Sequence, residues 1–236
     1  MPQVFPKYAN VLTWAVILGV ITTVSLLGVG AMVFARSPYA TLKETAYTQP
    51  IQFSHAHHVN GLGIDCRYCH TSVEDASYAN IPPTKTCMNC HSQIWVGSKM
   101  LEPVRESYRT GKSLEWNRIH RLSDFVYFDH SIHVTKGIGC ASCHGRVDEM
   151  QAVYQHGTLL MEWCLDCHRA PEKNLRPRDQ VFNMAFKPSD LKQSNGQPHT
   201  QATLGAELRQ KYDIRSLLEC STCLLYTSPS PRDKRQ

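Results

Sequence analysis

Long basic runs are missing from this chain of 236 residues. Its 25 Lys and Arg residues are scattered, so a formal net charge of +5 does not indicate a nucleic-acid partner. A convincing β-sheet pattern is also missing, because Gly, Pro and Asn break most of the chain into loops. The usual aliphatic core residues are scarce in the water-soluble part, whereas 10 Cys and 12 His are present. Something other than aliphatic side chains is therefore expected to fill its interior.

Charged residues are absent from residues 11–35 (VLTWAVILGVITTVSLLGVGAMVFA). As a helix this segment is about 37 Å long, enough to cross about 30 Å of hydrocarbon with some tilt. The apolar region of a cleaved signal peptide is usually only about 7–15 residues long, so a retained anchor is predicted. The predicted organisation is a cytoplasmic N-terminus at 1–10, a transmembrane anchor at 11–35, a water-soluble domain at 36–223 and a non-native tail at 224–236.

One order of motifs occurs twice in the water-soluble part, at a spacing of 75 residues. Each copy opens with Phe and a His-x-x-His pair and continues with two C-x-x-C-H motifs. The repeats cover about 51–115 and 116–175, and a further segment runs to 223. The four motifs comprise Cys66, Cys69 and His70; Cys87, Cys90 and His91; Cys140, Cys143 and His144; and Cys164, Cys167 and His168.

Two helices are predicted between these motifs. Residues 103–110 form one, with Pro103 in the first turn and Gly111 just past the end. Leu204, Leu208 and Tyr212 fall on one face of another, which runs toward Cys220.

The C-x-x-C-H motif is the signature of covalent haem attachment. The two thiols add to the haem vinyl groups, and the adjacent His binds the iron as proximal ligand. Haem c is attached outside the cytoplasm, so residues 36–223 are expected on the periplasmic side of a bacterial inner membrane. The sequence therefore predicts four haem c groups at intact motifs.

Zinc is the main alternative to haem. The 17 residues between Cys69 and Cys87, and the 20 between Cys143 and Cys164, match the spacing of a zinc ribbon. A ribbon does not require His after every second cysteine, and four such coincidences have a probability of about 7 × 10⁻⁶. Disulfides also leave the histidines unexplained. The cysteine run typical of iron–sulfur clusters is absent from the sequence.

A fifth motif begins at Cys220 and Cys223, but Leu224 stands where the His is expected. The sequence after Cys223 differs from everything before it, and the natural chain is expected to continue with that His. The alternative is a genuine C-terminus with a free or disulfide-bonded cysteine pair. Candidates for the sixth ligand of this fifth haem are His120, His156 and His199. Met150 and Met161 are further candidates for ligating one haem, although both are expected in the core.

The order Phe-x-His-x-x-His before C-x-x-C-H resembles the class III cytochromes. That resemblance implies that the first His of each pair completes the next haem and the second His completes the following one. His55 then faces His70, His58 faces His91, His130 faces His144 and His133 faces His168, with His57 as the alternative to His58. The implied fold is a mostly helical and irregular multihaem cytochrome c, with one transmembrane helix and a haem-packed domain of two such repeats.

The stretches WNRIHRLSDFVYFDHSIHVTKGIGCASCHGRVDEM (116–150) and MEWCLDCHRAP (161–171), with the closing LLECSTC, resemble the pentahaem cytochrome subunit of bacterial alternative complex III. This resemblance implies an electron-transfer subunit of a quinol-oxidising complex, without catalytic residues of its own. The implied partners are iron–sulfur and membrane subunits, and an electron-accepting monohaem cytochrome or terminal oxidase.

Two other functions compete with this interpretation. A stand-alone, membrane-anchored tetrahaem quinol dehydrogenase shares the anchor and the four haems, but the duplicated His-x-x-His units fit it poorly. A multihaem reductase, for instance of nitrite, keeps one iron position open and often uses a C-x-x-C-K motif, which is absent from the sequence.

Overall fold

The computed structural model describes residues 4–224 and divides after Lys43 into two compact units. The first unit contains α1 (Ala9–Arg36) and α2 (Pro38–Thr41). Helix α1 ends because Ser37 adopts an extended conformation ahead of Pro38, which disfavours helical backbone before it. The predicted apolar segment, 11–35, lies within α1. By length and composition this helix is able to cross a membrane.

Short helices joined by loops make up the second unit. Four isolated antiparallel bridges connect its loops, and no strand occurs between residues 44 and 224. A π-helical segment spans Ala56–Gly61. The α-helices are α3 (Cys66–Cys69), α4 (Thr84–His91), α5 (Glu102–Thr110), α6 (His130–Thr135), α7 (Cys140–His144), α8 (Met161–Arg169), α9 (Gln201–Lys211) and α10 (Cys220–Cys223). Single 3₁₀ turns occur at Lys99–Leu101, Val147–Glu149, Pro171–Lys173, Arg178–Gln180 and Pro188–Asp190.

Both helices predicted between the motifs are present. Helix α5 has Pro103 in its first turn and ends at Gly111, whose φ of 72° is the left-handed conformation that glycine adopts readily. Helix α9 buries Leu204 and Leu208, and Tyr212 follows its last residue. These two predictions are confirmed.

The aliphatic core of the second unit is small and divided. Ile51, Leu101 and Val104 form one buried cluster, against which the motif residue Cys87 packs. A second cluster, of Leu175, Leu204 and Leu208, lies where α9 packs against the 3₁₀ turn that begins at Pro171. Burial of one such side chain contributes about 1.5–3 kcal/mol. Two clusters of three residues are a modest core for a unit of this length, and the C-x-x-C-H motifs lie outside their buried centres.

Candidate haem-binding sites

Each cysteine pair lies on one turn of helix. Helices α3, α7 and α10 begin at the first cysteine of a motif, whereas α4 and α8 contain their motifs near the C-terminal end. Residues three apart on a helix share a face, so both thiols of a pair point to the same side. All ten cysteines are free. Burial raises the pKa of Cys140 to about 11 and that of Cys143 to about 12, so both thiols are protonated at neutral pH.

The rings of three of the four predicted ligand pairs are neighbours, with nearly the same separation in each pair. The ring centroids of His58 and His91 are 6.3 Å apart. Those of His130 and His144 are 6.4 Å apart, and those of His133 and His168 are 6.3 Å apart. The structure therefore brings together residues that lie between 14 and 35 positions apart in the chain.

This separation fits one metal ion between two imidazoles. Bonds from a metal ion to imidazole nitrogen are about 2.0–2.1 Å long, and a ring centroid lies about 1.1 Å behind its nitrogen, which places two facing centroids about 6.3 Å apart. Two axial imidazoles are one way to complete the coordination of a haem iron. The observed distances of 6.3–6.4 Å match this requirement at all three pairs.

In most of the predicted ligands, the ring nitrogen Nδ1 is hydrogen-bonded to the backbone. In six of the eight histidines, Nδ1 lies 2.6–3.2 Å from a backbone carbonyl oxygen. The ligand and carbonyl pairs are His58 with Ser54, His70 with Asn80, His91 with Ile94, His130 with Ser77, His133 with Asp129 and His168 with Leu217.

These hydrogen bonds decide which nitrogen is available to a metal. A carbonyl oxygen only accepts, so Nδ1 must carry the hydrogen and donate it. The lone pair of a neutral ring is then on Nε2, the atom left free to coordinate iron. Such outer partners also fix the orientation of a ligand ring. The donor set therefore fits bis-histidine haem.

In the first predicted pair, His70 lies near enough to His55 to affect its pKa. The pKa of His55 is lowered to about 4, mainly by desolvation and then by the nearby His70 and His58. Its Nδ1 is a buried atom without a hydrogen-bond partner. His55 is therefore a neutral imidazole at physiological pH, the form that binds metal ions.

Two phenylalanines, for which the sequence predicts no role, contact the histidines of the two His-x-x-His units. The ring of Phe53 meets His55 edge-on at 4.8 Å and stacks on His58 at 4.3 Å. The ring of Phe128 meets His130 at 4.8 Å and His133 at 4.6 Å with the same orientations. Each Phe therefore lies between the two histidines of its own His-x-x-His unit, which belong to two different predicted haem sites. The recurrence of Phe at this position in both repeats was the sequence signal for this role.

The remaining candidate ligands lie outside the four predicted pairs. His57 is exposed and stacks on Trp95, so His58 and not His57 is opposite His91. His156 is exposed, and Met161 has a relative exposure of 69%. Met150 is buried. His199 lies beside Thr203 on α9, and His120 contacts the ring of His144.

The incomplete fifth motif lies beside the second repeat. The amide of Tyr127 donates to the carbonyl of Cys223 over 2.8 Å, and Leu224 pairs with Val126 in an isolated bridge. Leucine has no metal-binding atom, so this motif lacks a proximal ligand. The predicted non-native tail covers 224–236, of which only Leu224 is among the described residues.

A closed zinc site finds no support in this arrangement. In residues 4–224, no three His, Cys, Asp or Glu side chains converge as ligands for one metal ion. A structural zinc site requires four such ligands in a tetrahedral arrangement. The paired imidazoles beside free thiols fit haem c better than they fit zinc.

No family model matches the chain. The chain is similar to a protein of Nitratidesulfovibrio vulgaris described as "Menaquinone reductase, multiheme cytochrome c subunit", with 37% identity over 116 residues. The match covers 48% of this chain and 54% of the relative, so the chain spans about half the length of the curated relative it matches. This similarity supports a multihaem c-type cytochrome and does not extend to alternative complex III.

Proposed function

We propose that this chain is a multihaem cytochrome c that carries electrons within a membrane-bound quinone oxidoreductase complex. The observation that carries the proposal is the set of three imidazole pairs with centroids 6.3–6.4 Å apart. Haem c, when bound, supplies reversible one-electron redox chemistry. Two histidines per iron leave no open position for a substrate, which favours electron transfer over a reductase.

Each site takes two cysteines and two histidines. The first site comprises Cys66, Cys69, His70 and His55; the second Cys87, Cys90, His91 and His58; the third Cys140, Cys143, His144 and His130; and the fourth Cys164, Cys167, His168 and His133. A fifth site at Cys220 and Cys223 is part of the proposal and requires a histidine at position 224. In the first four sites the cysteines would hold the haem covalently, and the two histidines would bind its iron.

Spacing along the chain and electrostatic proximity support an ordered series of sites. His55 and His58 lie one turn apart, as do His130 and His133, so the first site adjoins the second and the third adjoins the fourth. His144 is within electrostatic range of His70 and His55, which joins the first site to the third. Cys164 is within range of Cys223, which joins the fourth site to the fifth motif. The proposed order is second, first, third, fourth, fifth.

Helix α1 is proposed to anchor the chain in the bacterial inner membrane. Its 28 residues include one charged side chain, that of Arg36 at the end, and none of them is buried in the structure. The haem-binding unit is then on the periplasmic side, because haem c is attached there. This placement brings the unit close to a complex that handles lipid-soluble quinones.

The proposed complex oxidises quinol, as the resemblance to alternative complex III implies, with iron–sulfur and membrane subunits as partners. Electrons then leave toward a monohaem cytochrome or terminal oxidase. The curated relative favours a second candidate, a subunit of a complex that reduces menaquinone. A stand-alone tetrahaem quinol dehydrogenase is the third, since one chain with an anchor meets its minimal requirements.

Purification of the membrane complex through a tag on this chain, followed by anaerobic addition of quinol, separates these functions. We expect quinol to reduce the haems of the complex but not those of the isolated chain, because the quinol site belongs to a partner. The absorption change of haem c on reduction is the measurement. Reduction of the isolated chain at the rate of the complex would identify a stand-alone dehydrogenase. Haems that quinol leaves oxidised, but that lose electrons to added menaquinone once chemically reduced, would identify a menaquinone reductase.

A further inference from the structure

His120 makes a contact with a predicted iron ligand although it belongs to neither a C-x-x-C-H motif nor a His-x-x-His pair. Its Nε2 lies 3.2 Å from Nδ1 of His144. The two ring centroids are 4.4 Å apart, and the planes are inclined at 74°, so one ring meets the other edge-on. His120 is partly buried in this position.

The hydrogen-bond partner of Nδ1 in His144 differs from the partners found in six other predicted ligands. Six of the eight ligand histidines donate from Nδ1 to a backbone carbonyl. In His144 the corresponding partner is a side chain. A substitution can remove this partner without changing the backbone, which is not true of the carbonyls.

The third site also differs from the second and fourth sites in the orientation of its ligands. The planes of His130 and His144 are inclined at only 11° and are nearly parallel. The corresponding angle is 69° between His58 and His91, and 60° between His133 and His168. Among these three pairs, the nearly parallel one is therefore the pair that includes the ring contacted by His120.

We propose that His120 is a positioning residue that holds the His144 ring parallel to His130 and thereby gives the third haem an electronic structure unlike those of the second and fourth. The inference rests on the proposed function, since it assumes iron between these rings. His144 coordinates through Nε2, so its Nδ1 carries the hydrogen and donates it. His120 accepts that bond at Nε2 and carries its own hydrogen on Nδ1.

Two properties of the third haem follow from this contact. Parallel axial rings separate the energies of the two iron d orbitals that overlap with the imidazoles, which gives a rhombic electron paramagnetic resonance spectrum. Perpendicular rings leave these orbitals close in energy and give a signal with a large maximal g value. The hydrogen bond also makes the His144 imidazole a more basic ligand, which stabilises oxidised iron and lowers the reduction potential of this haem.

Electron paramagnetic resonance of the oxidised full-length chain, with a parallel redox titration, tests the inference. The wild-type chain is expected to show a rhombic low-spin signal from the third haem and two signals with large maximal g values from the second and fourth haems. His120→Leu removes the acceptor, so the rhombic signal should shift or disappear and one potential should rise. His120→Gln supplies a side-chain oxygen as acceptor and should restore both wild-type properties. Arg121→Leu, which replaces the exposed residue next to His120 in the same loop, should leave the rhombic signal unchanged.

Haem counts separate a failure of this inference from a failure of the proposed function. A wild-type chain without haem overturns both. Full haem content with no rhombic signal in the wild type, or with an unchanged signal and potential in His120→Leu, overturns the role of His120 alone. Should His120→Leu not accumulate in folded form, His120→Gln decides: a retained rhombic signal supports the role, and a lost one overturns it.

Discussion

Replacing Cys140 and Cys143 together with serine is expected to remove one haem per chain and to destabilise the whole haem-binding unit. Serine cannot form the thioether bonds, so the mass of the purified chain should fall by about 616 Da beyond the change of side chains. The unit relies on its cofactors, because its aliphatic clusters are small. We expect the melting temperature to fall by about 10 °C, as a loss of about 4 kcal/mol produces in a domain of this size.

The third site is the most damaging one to lose because of its central position. The ring of His144 lies beside those of His130 and His120. The pKa of His144 falls to about 3, mainly because burial desolvates the ring, and histidines of the first site contribute to the shift. Ser142→Ala, inside the same motif, is the matched control and should keep every haem. A double variant with the wild-type haem content and melting temperature would contradict attachment at these cysteines.

The substitution Leu224→His is expected to raise the haem content by one per chain. The amide of Leu224 donates to the carbonyl of Cys220 over 3.0 Å, just as the amide of His70 donates to Cys66 over 2.8 Å in the first motif. A histidine at 224 therefore starts from the equivalent backbone position and supplies the missing proximal ligand. Intact-mass spectrometry measures the result, since each covalent haem adds about 616 Da.

The matched control for the expected increase in haem content of Leu224→His is Leu218→His. Leu218 is an exposed leucine two residues before Cys220, so its replacement adds an imidazole outside the motif position. This variant should keep the haem content of the parent chain. If Leu224→His also keeps it, the Cys220 and Cys223 pair is not a haem site, and the proposal of a pentahaem cytochrome is wrong. Five haems in the unmodified chain would show that Leu224 does not interrupt the site.

Local patterns in the sequence were sufficient to predict three of the helices, α1, α5 and α9. The uncharged segment 11–35 lies inside α1, and Pro103 with Gly111 marked the ends of α5, because proline and glycine act on the backbone where they stand. The attachment motifs could also be recognised from the sequence, because each is complete within five residues. How these motifs pair depends on the tertiary fold. The pairing came from a resemblance, and it stays a prediction until ligands are assigned by measurement.

The partners of the ligand rings were not predictable, for a physical reason. His168 is held by the carbonyl of Leu217, 49 residues away, and His130 by that of Ser77, 53 residues away. Every residue has a carbonyl, so such a contact leaves no mark in the sequence. His120 lies outside the motifs, and the sequence predicts it as a candidate ligand of the fifth haem. The structure places it against His144 instead, because the loop that carries it passes the third site.

The number and spin state of the haems in the purified full-length chain test the central claim most directly. Pyridine haemochrome quantitation, with the protein concentration from amino-acid analysis, should give four haem c groups per chain. All four should be low-spin, and the reduced protein should not bind carbon monoxide, because two histidines occupy each iron. Purified protein that holds zinc and no haem, or a haem that binds carbon monoxide, would contradict the account.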